Sequence, residues 1–209
     1  MRNVKLLLGF LIFIPIYSVA SPYEILIPAV VPLKQHLSTV DYFKDGRQSG
    51  CGLRITAETQ DDIWLNVLIT VFMKGAGADF GVIKIVARKV EMKDGTPLFR
   101  DGEISYLDIG NIRRAWIKPD SQELPIMYES GGPSHTDAYM ATAEFSATMD
   151  LLVAISQEKF KVGLNRDAAR VDEIYQFDNP IEQKEAGKLA LCMKNLRSEI
   201  AESKRRKSL

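Results

Sequence analysis

From Ile63 to Met73 the chain alternates. Ile63, Leu65, Val67, Ile69, Val71 and Met73 are all apolar, with Trp64, Asn66, Leu68, Thr70 and Phe72 between them. A period of two is the pattern of a strand that buries one face, and the mixed character of the second set implies partial cover on the other. "GAGAD" then supplies a turn, and "FGVIKIVARKVEM" returns as a second, β-branched strand. Two Asp-Gly pairs follow, Asp94-Gly95 and Asp101-Gly102, each suited to the positive backbone angles of a tight hairpin. They make "TPLFR" and "EISYLDI" short successive strands of a meander. "NIRRAWIKP" reads as another strand ended by Pro119, and "DSQELPIMYESGGPSHTD" as a long loop.

The stretch "AYMATAEFSATMDLLVAI" satisfies two periods. Its odd positions from Tyr139 to Ile155 alternate without a break, while Ala141, Phe145, Met149 and Leu152 form a helical stripe. The unbroken alternation favours a strand, most firmly at 149–155. "EKFKVGLNR" and "RVDEIYQFD" read as a hairpin turning at 166–169. At the end of the chain, Asn179 is a suitable N-cap, Pro180 suits the first helical position and Glu182 completes a capping-box spacing. Beyond them Leu189, Cys192, Met193, Leu196 and Ile200 share one helical face.

Runs of strands and one closing helix, without βαβ alternation, predict a mainly β fold: an antiparallel β-sandwich, or a sheet-plus-helix, with one C-terminal amphipathic helix. The expected organisation is a cleaved signal peptide over 1–20, an extended N-terminal arm over 21–50 interrupted by Pro28 and Pro32, a single β-rich domain over 51–203 ending in helix 180–203, and a basic tail over 204–209.

The leader changes the reading of everything after it. Arg2 and Lys5 precede an apolar run from Leu6 to Tyr17, and Ser18-Val19-Ala20 is a small-residue cleavage site. The run is shorter than the roughly 20 residues of a spanning helix and contains Pro15. Export to the periplasm or beyond is therefore expected, with no permanent membrane insertion after cleavage. In an oxidising compartment the two cysteines, Cys51 and Cys192, are expected to form a disulfide that fastens the closing helix to the start of the sheet.

Charge and motifs exclude more than they identify. The chain carries 27 basic and 27 acidic residues, and loss of Arg2 and Lys5 leaves a slight acidic excess, so no global field draws nucleic acid. "KGAGADFG" precedes a strand, not the helix that a phosphate loop requires. With only His36 and His135, in no ligand spacing, neither a metal site nor a cofactor is expected. The candidate binding residues are Tyr128, Glu129, Ser134, His135 and Asp137 in the long loop, with Arg113, Arg114 and Trp116 in the strand before it. The expected function is a non-enzymatic exported binding protein with a protein partner, either an envelope assembly factor or an inhibitor or immunity-type partner of a toxin. Its working surface would be a sheet edge, a sheet face or that loop. The alternative is a small hydrolase with a serine or carboxylate centre in the 128–137 loop, drawing on Ser134, His135 and Asp137 or on the acids Glu129, Asp137 and Glu144.

Overall fold

The computed structural model describes residues 29–73, 79–123, 126–128, 137–166, 171–178 and 181–207. The leader, Asn179, Pro180 and most of the 124–136 loop lie outside them. The chain opens with a four-stranded antiparallel meander, β1 (Lys34–Lys44), β2 (Arg47–Glu58), β3 (Ile63–Phe72) and β4 (Phe80–Val90). Two small ribbons follow, β5 (Met92–Lys93) with β6 (Thr96–Pro97) and β7 (Phe99–Arg100) with β8 (Glu103–Ile104). Next β9 (Tyr106–Leu107) returns to pair with the end of β4. A second sheet begins with β10 (Ile112–Pro119) and β11 (Ile126–Tyr128). The chain then crosses back through β12 (Ala138–Glu144), which pairs with β4, and enters helix α1 (Phe145–Gln157). Finally β13 (Phe160–Arg166) and β14 (Glu173–Phe177) complete the second sheet in the order β11-β10-β13-β14, and α2 (Gln183–Lys207) closes the chain.

The fold is mainly β with antiparallel sheets and a C-terminal amphipathic helix, in the sheet-plus-helix form. The large sheet runs β1-β2-β3-β4-β12, with α2 packed against β1 and β2 and α1 against β3, β4 and β12. Alternation explains which face they cover. Leu53, Ile55, Leu65, Val67, Ile69, Val71, Ile83 and Ile85 are buried beneath the helices, each contributing about 2 kcal/mol of transfer free energy. Leu189, Cys192, Met193 and Leu196 of α2 join the same core, which also takes in Val162, Leu164, Tyr175 and Phe177 of the second sheet.

Four expectations need correction. Residues 149–155 belong to α1, not to a strand: the strand is confined to Ala138–Glu144, and the chain turns into a helix at Phe145. The 21–50 segment is not an arm throughout, because Lys34–Lys44 is the edge strand of the large sheet and β2 starts at Arg47. Among the described residues of that segment, Ala29–Leu33 has that character: Val30 exchanges backbone hydrogen bonds with Ile174 and Gln176 at the edge of β14. "TPLFR" and "EISYLDI" do not extend a meander but are divided among β6, β7 and β8 of the ribbons and β9 of the large sheet, and the ribbons' turn residues Asp94, Gly95, Asp101 and Gly102 all have positive φ. The closing helix spans Gln183–Lys207, so part of the basic tail continues it.

The two sheets are tied by a buried guanidinium. Arg166, 6% exposed, pairs through Nε with Glu173 (3.0 Å) and donates to the carbonyls of Gly110 (2.9 Å) and, more weakly, Ala87 (3.4 Å). Tyr175 donates its hydroxyl to the same Glu173 (2.9 Å), and its burial, with that carboxylate beside it, pushes the phenol well above its ordinary pKa. At the other end of the molecule Cys51 and Cys192 form the expected disulfide, with Cα atoms 5.9 Å apart. Thr39 adds a second fastener: its amide donates to the Glu185 carboxylate (2.8 Å) and its hydroxyl to the Glu185 carbonyl (2.8 Å). A helix side chain thereby caps part of the free edge of β1, which is also bulged at Tyr42–Phe43, so this edge is poorly suited to accept another strand.

Candidate functional site

The residues singled out in β10 have structural partners. Trp116 faces Gly163 across β13, where the missing Cβ leaves room for the indole to lie against the strand. Its Nε1 donates to Asp172 (2.6 Å), which also accepts from Asn165 (2.9 Å) and Arg114 (3.1 Å). Partial burial raises the Asp172 carboxyl, but the hydrogen bonds from Trp116, Asn165 and Arg114 outweigh it and hold the group below its usual range. The cluster is a satisfied clamp on the outside of the second sheet. Arg113 is exposed beside it.

The loop residues divide. Glu129, Ser134 and His135 lie outside the described residues, as does the side chain of Tyr128, whose backbone ends β11 opposite Ala115. Asp137 is placed: it accepts an ion pair from Arg88 Nε, and the Arg88 guanidinium stands 5.1 Å from the centre of the Tyr106 ring. Glu144 stands at the N-cap position of α1 and accepts from Ser146 (2.6 Å), at the opposite end of β12 from Asp137, so the two carboxylates form no pair. Among the described residues Asp41 lies near the sulfurs of Cys51 and Cys192, but those sulfurs are consumed by the disulfide and cannot ligate a metal as thiolates.

Arg88 leads to the feature that the sequence reading missed. The helices cover one face of the large sheet, and the other carries a groove of about 640 Å³. Strand register assembles it in rows. Lys34, Glu58, Trp64 and Arg88 face one another across β1 to β4; His36, Thr56, Asn66 and Val86 form the next row; Ser38, Arg54, Leu68 and Lys84 form a third. The groove continues past Arg88 and Tyr106 into a hollow of about 230 Å³ that also touches Asp108 and Asp137.

Charge is unevenly satisfied along these rows. Lys34 is paired with Glu58 (3.1 Å) and Arg88 with Asp137. By contrast, Arg54, Lys84 and His36 have no acidic partner among the described residues, and Arg54 and Lys84 flank Leu68 from the neighbouring strands. Across one intervening strand they stand about 10 Å apart. Their mutual repulsion in water is about 0.4 kcal/mol, easily tolerated, whereas an anion placed between them is attracted by both. Trp64 is 39% exposed on the same face.

The arrangement can recognise and hold a ligand: cations above an apolar floor, with an amide, a hydroxyl and an indole between them. The signal for it was the polar half of each strand's alternation, which reads as ordinary solvent exposure until register sets the strands side by side. Among the described residues no helix is long and apolar enough to cross a membrane. Compared with known families, curated proteins and solved structures, the chain matches none.

Proposed function

We propose that the chain is an exported, periplasmic, non-enzymatic binding protein that holds an anionic partner on the open face of its large sheet. The observation that carries this reading is the pair of cations without acidic partners among the described residues, Arg54 and Lys84, on either side of Leu68 in a groove that also presents His36 and Trp64. Cations left unpaired on a rigid sheet cost little while hydrated and gain when an anion of matching spacing displaces the water. Export is supported by the leader pattern of residues 1–20 and by a disulfide of the kind that persists in oxidising compartments.

The test is affinity capture from the exported fraction with three baits. The wild-type chain should retain a partner, R54E/K84E should lose it, and K194E, on an exposed position of α2, should keep it. Equal capture by wild type and R54E/K84E, or recovery of the native chain from the cytosol with residues 1–20 attached, would overturn the proposal.

A further inference from the structure

We infer that the groove accepts a short stretch of an acidic polysaccharide, a chain bearing uronate or sulfate groups. Trp64 serves as the platform for a sugar ring, and Arg54 and Lys84 as clamps for its anionic groups. The inference rests on the reading of this face as a binding surface and specifies its occupant.

Scale comes first. A groove of about 640 Å³ falls in the range of pockets that take small ligands or chain segments, roughly 300–1,000 Å³. A globular partner would instead need about 800 Å² of contact per side, centred on a continuous apolar patch. Here the large apolar residues are separated by charge: Trp64 lies between Glu58 and Arg88, and Leu68 between Arg54 and Lys84. The groove shares Arg88 and Tyr106 with the second hollow, so a linear occupant can run on from one to the other.

Chemistry narrows the class. An indole offers a flat apolar surface to the C–H face of a sugar ring. Asn66 and Thr56, in the row between Trp64 and the cations, provide the donors and acceptors that ring hydroxyls need. A guanidinium and an ammonium on either side of Leu68 fit separate anionic substituents along a chain.

Other anions fit less well. A nucleic-acid strand is drawn by a strong positive field and by successive stacking platforms, and the chain as a whole carries no net charge. A lipid tail requires enclosed apolar volume, whereas the groove lies open along the sheet with Arg54, Trp64, Lys84 and Arg88 exposed.

The experiment titrates the chain from Ser21 onward with oligogalacturonate, a sulfated oligosaccharide, the methyl ester of oligogalacturonate, a single-stranded oligothymidylate and phosphatidylglycerol vesicles. Calorimetry and indole fluorescence report binding, and circular dichroism checks that each variant is folded. At least one acidic oligosaccharide should bind, with the neutral ester at least tenfold weaker and both R54Q/K84Q and W64A weakening binding tenfold or more. The glycan assignment is overturned if no acidic oligosaccharide binds at millimolar concentration, if the ester binds equally well, or if folded W64A and R54Q/K84Q bind like wild type. Binding of the oligonucleotide or vesicles alone, lost in R54Q/K84Q, would overturn the glycan while leaving the binding face intact. If folded R54Q/K84Q binds every probe like wild type and R54E/K84E still captures the native partner, both readings fall.

Discussion

Removing the disulfide with C51A/C192A tests how the two ends of the domain are held. The bridge closes a loop with a sequence separation of 141 residues. In the chain-entropy treatment, constraining the unfolded chain over that length is worth about 5 kcal/mol at 25 °C, an upper bound on the effect. The native state should survive, because Leu189, Met193 and Leu196 still pack into the core and Glu185 still holds Thr39. The expected loss is therefore about 2–5 kcal/mol, expressed mainly through a less constrained unfolded state. Guanidinium unfolding followed by circular dichroism should show the midpoint falling by about 1 M, with a steeper denaturant dependence because the opened chain exposes more surface. An unchanged midpoint and slope would refute the reasoning. So would two titratable thiols per chain in the denatured, unreduced wild-type protein.

Three further predictions concern the fasteners and clamps. The Glu185 carboxyl is drawn down to about 2 by the Lys188 side chain and the Thr39 amide, so its contribution is present above about pH 4.5 and is lost as pH falls towards 2. Because the site is solvent-screened the gain should not exceed about 1 kcal/mol, and the stability gap between wild type and E185Q should close over that pH window; a constant gap would contradict it. R166M removes the cation paired with Glu173, which keeps only the Tyr175 hydroxyl, and the guanidinium donor of the Gly110 and Ala87 carbonyls, and should cost about 3 kcal/mol by chemical denaturation. G163A places a methyl group where the Trp116 indole lies; it should cost about 1–3 kcal/mol and alter the indole fluorescence by moving Nε1 away from Asp172, and an unshifted spectrum would count against the clamp.

Where one physical signal dominates, the sequence was readable. β3 buries alternate residues in the core beneath α1, so Leu65 to Val71 declare a strand; α2 buries one stripe, so Leu189 to Leu196 declare a helix. α1 was misread because it lacks the usual start and stop signals. Glu144 makes no side-chain cap, the first turn has no acidic residue and the last no basic one. Burial of Met149, Leu151, Leu152 and Ile155 together also blurs the helical period into an alternating one. β1 escaped notice because its only fully buried side chain is Leu37. The groove was invisible for another reason: Arg54, Trp64 and Lys84 are unremarkable polar-face residues within their own strands, and acquire meaning only through pairing across β2, β3 and β4.

Hydroxyl-radical footprinting of the chain, with and without the partner it captures from the exported fraction, probes the open face most directly. Trp64, Leu68 and Tyr106 should become protected while Leu191 on α2 and Val153 on α1, both exposed, react as before. Protection confined to α1, α2 or the second sheet, with Trp64 and Leu68 unchanged, would show that the partner binds elsewhere.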